Sequence, residues 1–292
     1  MSDINSHDVL GSLTRPRRAT LAKALFAVTL ASASTVSLQA AAQATIRSGN
    51  GEVTPHSHPW IASLRDGNDQ HFCVASLVRV SPTINESDIL VTTADCLYEG
   101  PWMPEAVLGG HDLLQSSAGQ VSAAVTYWVL HPNYDPQTVE NNIAVLKLAS
   151  PVPFTATIQP ARLPNQGAVI AAGKAGVTGG WNASATPAPN HLLQLHSTVM
   201  GNTKCVNANT AVGWTVNTAT AFCAGTSVSG FCPDDYGSAF VSKNADGFWV
   251  LHGILSFGSS CDGDPNHPEV HTRIGAYRNW IESKIDLLTS VQ

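Results

Sequence analysis

The chain has 292 residues, with 15 Lys and Arg against 21 Asp and Glu, a net charge of −6, and 12% charged beside 43% hydrophobic residues. Nucleic-acid binding through a Lys/Arg-rich face is excluded by that balance, and a disordered acidic tail by enough apolar residues to build a core. Its 23 Gly and 17 Pro lie along the whole chain, the pattern of many short strands joined by turns.

In chain order, the first 44 residues read as a secretory leader. Arg15, Arg17, Arg18 and Lys23 precede the apolar run Ala24 to Leu38, and Ala42-Gln43-Ala44 supplies a small-x-small cleavage site. The run is too short and too rich in Ser and Thr for a membrane anchor. Arg17-Arg18-Ala19-Thr20-Leu21 is only a loose twin-arginine signal, with Thr20 where an apolar residue is preferred. Removing residues 1–44 leaves 11 basic and 19 acidic residues, net −8 over 248 residues, and no later stretch is long enough to span a membrane.

Short apolar segments follow. Trp60 to Leu64, Cys73 to Val80, Asp88 to Thr93, Val121 to Leu130, Ile143 to Leu148, His191 to Met200, Phe248 to Phe257 and Val270 to Arg273 read as strands. Most are β-branched, and Gly, Pro or Asn separates them. Tyr277, Trp280, Ile281, Ile285 and Leu288 recur at helical spacing and predict a terminal helix ending near Ser290. Strands closed by one helix predict a barrel or sandwich. Six cysteines behind a leader, Cys73, Cys96, Cys205, Cys223, Cys232 and Cys261, read as three disulfides, whose pairing spacing alone does not choose. Without a CxxC or HxxxH pair, a zinc site is the poorer reading.

Six motifs stand in order: Glu52-Val-Thr-Pro-His-Ser-His-Pro-Trp60, Leu90-Val-Thr-Thr-Ala-Asp-Cys96, His131-Pro-Asn-Tyr134, Asn142-Ile-Ala-Val-Leu-Lys-Leu148, Ser256-Phe-Gly258 and Pro268-Glu-Val-His-Thr-Arg273. The series resembles the chymotrypsin/trypsin family of serine proteases from about Arg47 to Ser290. The resemblance implies an all-β fold of two packed six-stranded antiparallel barrels, about 47–160 and 161–275, followed by a C-terminal helix 276–290. It also implies the pairs Cys73–Cys96, Cys205–Cys223 and Cys232–Cys261.

Carried onto this chain, the family's catalytic positions are altered. Asp95 stands for the histidine base, Asn142 for the orienting aspartate and Tyr236 for the serine nucleophile. Asp235 keeps the aspartate before it. Asp234 replaces a glycine at the oxyanion hole, where its carboxylate is expected to repel a developing oxyanion. From reference values, proton transfer from a tyrosine to an aspartate is uphill by about 6 units, or about 8 kcal/mol. A serine site rebuilt on Ser238 would need a histidine, but His71, His111 and His252 sit in unrelated segments. Asp95, Asp234 and Asp235 are a further option, three carboxylates for a calcium-like ion.

The implied specificity pocket has Gly230 at its floor, where the family binds Lys or Arg through an aspartate. Glu269 stands on its wall in place of glycine, expected to obstruct the pocket; the alternative is a rearranged loop with Glu269 in solvent. Ser256, Phe257 and Gly258 keep a backbone strip for extended peptides. His56 and His58 are expected on a surface loop, and Cys261-Asp-Gly-Asp264 in a turn. Asn85-Glu-Ser87 and Asn182-Ala-Ser184 are glycosylation sequons, relevant in a eukaryotic host. In the N-terminal region, Arg47 falls where the family's freed amine would be, with Ile46 one position early, so no zymogen switch is expected.

The sequence thus reads as a secreted, extracellular or periplasmic, trypsin-like pseudoprotease without cofactor or metal, binding or regulating an unidentified protein or peptide, with no nucleic acid and no membrane once the leader is removed. The alternatives are an active secreted serine endopeptidase, as the fold alone would suggest, and a carboxylate- or metal-assisted hydrolase centred on Asp95.

Overall fold

The computed structural model describes residues 51–98, 103–225, 230–258 and 268–290. The leader, its cleavage site, Ile46, Arg47 and the Cys261 to Asp264 turn lie outside them. Strands β2 (Ile61–Arg65), β3 (His71–Leu77), β4 (Glu86–Thr92), β5 (Glu105–Leu108), β6 (Val121–Leu130) and β7 (Ala144–Pro153) close one barrel in the order β2-β3-β4-β7-β6-β5. Strands β8 (Ala175–Gly180), β9 (Leu193–Val199), β10 (Ala221–Gly225), β11 (Ala239–Lys243), β12 (Trp249–Phe257) and β13 (Glu269–Arg273) form the second, closed by pairing of β8 with β9. The pairings between these strands are antiparallel. This is the two-barrel architecture that the motifs implied. The short β1 (Gly51–Glu52) lies on β9, with Glu52 opposite Leu193, so the chain touches the second barrel before building the first.

Alternation decides what each strand face covers. In β2, Ala62 and Leu64 enter the first barrel's core beside Leu77, Leu90, Leu108 and Leu146. Ile61 points the other way, into a cluster that joins Val74, Val91 and Val145 of the first barrel to Val177, Val241 and Ile254 of the second. Strands buried on both faces therefore read as continuous apolar runs. The terminal helix α3 (Ile274–Ser290) starts directly after β13 and lays Tyr277, Ile281, Ile285 and Leu288 on the same cluster. Among the described residues, no helix is long and apolar enough to cross a membrane.

Besides the two-residue β1, four strands were not read from the sequence. β5, β10 and β11 are only four or five residues long. β8, Ala-Gly-Val-Thr-Gly-Gly, is poor in strand formers because neighbours crowd its backbone. A Cβ on Gly176 would sit 2.3 Å from the Phe240 ring, and one on Gly180 would sit 2.5 Å from Asp235 Oδ1. The polar helix α2 (Asn202–Thr210) was also unpredicted; its Cys205 is bonded to Cys223 on β10. The second observed bond is Cys73–Cys96. Cys232 is disulfide-bonded as well, and its expected partner Cys261 lies outside the described residues.

One expectation about the N-terminal loop is corrected. His58 is buried, 5% exposed, with its ring 5.1 Å from that of Trp60. Gly179 lets it approach, since a Cβ there would lie 2.9 Å from His58 Cδ2. Burial, and then the charge of His196, hold the His58 pKa down at about 4.

Candidate functional site

β4 ends at Thr92, and the chain turns through Thr93 and Ala94 into the one-turn helix α1 (Asp95–Tyr98), pinned to β3 by Cys73–Cys96. Asn142, fully buried just before β7, reaches this turn. Its Oδ1 accepts from the Asp95 N–H at 3.0 Å, and its Nδ2 donates to Ser256 Oγ at 2.9 Å. Asp95 Oδ1 accepts from the Cys96 N–H at 2.8 Å. Burial pushes the Asp95 carboxyl above the usual range, against hydrogen bonds from Thr93 and Asn142 that pull it down. The structure thus brings Asp95, Asn142 and Ser256 into one network.

An amide suits position 142 because it accepts and donates at once. A carboxylate could not donate to Ser256 and would set a second buried negative charge beside Asp95. Asn142→Asp alone is therefore expected to destabilise the protein at pH 8 by about 2–3 kcal/mol, as measured by urea unfolding against the parent.

Tyr236 follows a single 3-10 turn, Pro233–Asp235. Its carbonyl accepts from the Val74 N–H at 2.9 Å. Gly237 makes that approach possible, with φ +88° and room for no Cβ, which would lie 2.0 Å from the Val74 carbonyl oxygen. Tyr236 packs on the first-barrel core and on Leu195, Phe231 and Leu255. Burial first, then the charges of Asp95 and Glu269, push its phenol up to about 12. The Tyr236 N–H donates to the Pro233 carbonyl at 3.1 Å. A donor engaged inside a turn is not aimed at an oxyanion.

The Asp234 carboxylate points elsewhere than expected. It accepts from the Ser184 N–H at 3.2 Å and from the Ser184 hydroxyl. The expected charge repulsion at the hole is thus replaced by a different feature, the turn that engages the Tyr236 N–H. The cause is a long-range neighbour: Ser184, fifty residues away in sequence, offers two donors to this carboxylate.

Glu269 opens β13 and is 2% exposed. Its Oε1 accepts from the Phe231 N–H at 3.1 Å, next to the buried Gly230. The side chain therefore ties β13 to the segment at Phe231, joining the positions that the resemblance made the pocket's wall and floor. Burial, with a smaller push from the Asp235 charge, raises its pKa to about 8, while the Phe231 N–H pulls it down. Buried His271 lies 3.8 Å from Oε2, and burial depresses it to about 3. The two face each other as neutral groups near pH 6. Beside them, Phe257 is buried on β12 under Trp214, with ring centroids 5.1 Å apart, and Gly258 has φ +98°.

Asp235 is completely buried. It accepts from the Trp181 and Asn182 N–H groups at 2.6 and 2.7 Å. His71 Nε2 lies 3.7 Å from its Oδ1, and Ser63 Oγ meets His71 Nδ1 at 2.9 Å. Sequence reasoning placed His71 in an unrelated segment, whereas the fold sets it against Asp235. Its position two residues before Cys73, whose partner adjoins Asp95, was the available signal. Burial raises the Asp235 carboxyl, and His71 works against that shift.

Among the described residues, His71, Asp234 and Asp235 have possible ligand atoms within 4.8 Å of one another, and Asp95 does not join them. The three aspartates therefore do not form the one carboxylate cage considered from sequence, and the oxygens of Asp235 are already engaged. Ser238 is completely buried, inaccessible as a nucleophile. Asn182 also differs from a free sequon. Its Oδ1 accepts from the Cys232 N–H at 3.3 Å and its Nδ2 approaches the Gly230 carbonyl at 3.5 Å. Ser87 of the other sequon is buried, with its hydroxyl donating to the Val78 carbonyl.

These elements define a two-barrel protein in which Tyr236 stands near both Asp95, held by Asn142, and Glu269. Residues 47–281 match the Trypsin family, and the chain belongs to it. It is similar to Chymotrypsin-C of Rattus norvegicus, 31% identical over 248 residues, and to Chymotrypsin-C of Mus musculus, 32% identical over 248 residues; each match covers 82% of this chain and 88% of the relative. It is also 32% identical over 243 residues to Transmembrane protease serine 11C of Mus musculus, covering 82% of this chain and 53% of that relative.

Proposed function

We propose that the protein is an exported trypsin-family member that does not cleave peptides and instead binds or regulates a protein or peptide partner. The observation that carries this reading is Tyr236 at the nucleophile position, its phenol raised to about 12 beside two carboxylates. A serine-protease step needs a hydroxyl activated by a base near neutrality and N–H donors free for the oxyanion. Here the environment disfavours deprotonation, Asp95 is a poor base for a phenol, and the Tyr236 N–H is engaged with Pro233. Glu269 in the pocket argues against a long P1 side chain.

Export rests on the leader-like residues 1–44 and on the disulfides, which persist in oxidising compartments. Activation by a new N-terminus is not part of this reading, because Arg47 stands where the family's apolar amine would be and Ile46 lies one position early. The names of the relatives favour a second reading, an active serine endopeptidase. Incubation of the purified protein with casein and a panel of peptide esters separates the two. The proposal expects hydrolysis no faster than buffer; turnover that copurifies with the protein and is lost in a Tyr236→Phe variant would overturn it.

A further inference from the structure

Away from the cleft, three segments meet around two histidines. His111 follows β5, His191 precedes β9, and Glu52 lies on β1. Backbone bonds fix them to one another. The Val53 N–H donates to the Leu192 carbonyl at 3.0 Å, and the Leu192 N–H to the His111 carbonyl at 2.8 Å. Asp112 and His191 form an antiparallel bridge, and Glu52 pairs with Leu193. The Trp181 indole also donates to the His111 carbonyl, at 3.1 Å. The side chains thus stand on a braced frame rather than on a free loop.

On that frame, His111 Nε2 lies 3.1 Å from Glu52 Oε1. One possible ligand atom each from Glu52, His111 and His191 falls within 4.8 Å of the others. The imidazoles stack with centroids 5.6 Å apart at 22°. The His191 Nδ1 atom is buried without a hydrogen-bond partner, and Asp112 Oδ2 lies 3.5 Å from it. Asp112 is itself anchored, its Oδ1 accepting from the Leu114 N–H at 2.7 Å. His111 Nδ1 is likewise buried and unpartnered, in a residue 9% exposed.

We infer that Glu52, His111 and His191 bind a divalent transition metal of the Zn²⁺ class, with Asp112 behind His191 as its orienting carboxylate. Two imidazoles and one carboxylate are a donor set that Zn²⁺ accepts, water completing the tetrahedron. Bonds of about 2.0–2.1 Å give a tetrahedral edge of roughly 3.3 Å, close to the 3.1 Å between His111 Nε2 and Glu52 Oε1. Glu52 has a side chain 53% exposed and His191 one 44% exposed, so both can close on an ion without disturbing the core. A carboxylate on the far nitrogen of a ligating histidine fixes its tautomer. The bound ion would clasp β1 and the segment before β9 to the first barrel.

Calorimetric titration of tag-free protein with Zn²⁺ at pH 7.5 tests the site. One saturable equivalent is expected. Glu52→Gln and His191→Gln should each weaken binding at least about 10-fold, and Asp112→Asn by about 10-fold at unchanged stoichiometry. Metal-free unfolding curves of the Glu52→Gln and His191→Gln variants should stay close to the parent, because their side chains are 53% and 44% exposed. Absence of saturable binding, or an undiminished equivalent in the Glu52→Gln/His191→Gln double variant, would overturn the assignment.

Discussion

Replacing Glu269 by Gln is expected to leave stability little changed at pH 5 and to raise it at pH 8 by about 3–4 kcal/mol relative to the parent. The folded carboxyl titrates at about 8 against an ordinary 4.5. A raised folded value means that the group's stability is fully present below about 4.5 and is lost as pH rises through 8. The unfolded chain releases this proton early, whereas the folded chain must ionise a group buried against Phe231, with the Asp235 charge nearby. Gln keeps an oxygen for the Phe231 N–H and offers an N–H toward His271, but it never ionises. Buried His271, His58 and His252, at about 3, 4 and 4, act in the opposite direction. Their folded values are depressed, so their stability is present above about 6.5 and is lost as pH falls through those values. His58 and His252 owe their shifts to burial with His196 and Lys174, so they cancel in the difference, and His271, 3.8 Å from Glu269, is neutral at both pH 5 and pH 8. Urea unfolding of both proteins at pH 5 and pH 8, with disulfides intact, makes the measurement; a difference that stays constant would show that Glu269 ionises freely.

The second large effect concerns repair of the cleft. Asp95→His, Asn142→Asp and Tyr236→Ser together are expected to give no ester turnover above background. Those changes restore residue types but leave two obstacles. The N–H of residue 236 would still be engaged with the Pro233 carbonyl, and one missing oxyanion donor costs about 10²–10³ in rate. Glu269 would still bridge the pocket to Phe231. Adding Glu269→Gly opens that space, and Asp234→Gly releases the turn from Ser184. The five-fold variant should then exceed the triple variant by about 10²-fold or more in kcat/KM. Brisk hydrolysis by the triple variant would mean that hole and pocket were sound and only the triad had been lost.

Much of this architecture was legible in the chain. Val121–Leu130 was read as a strand with the bounds it has, and the stripe from Tyr277 to Leu288 located the terminal helix. Positions 95, 142 and 236 were found through the resemblance of their segments to the family's motifs. β8 escaped because its glycines are there for Phe240 and Asp235, not for strand propensity. α2 escaped because nothing in Asn-Thr-Lys-Cys-Val-Asn-Ala-Asn-Thr gives it an apolar face. The direction of Asp234, the burial of His58 and the meeting of His71 with Asp235 depend on long-range neighbours, and local periodicity carries no record of them.

The central claim, a trypsin-family cleft without a working nucleophile, is tested most directly by intact-mass analysis after treatment with an excess of a fluorophosphonate probe. The account predicts an unchanged mass, because Tyr236 is held protonated with a pKa of about 12 and Ser238 is sealed in the core. A single stoichiometric adduct on any serine, blocked by prior denaturation, would contradict it.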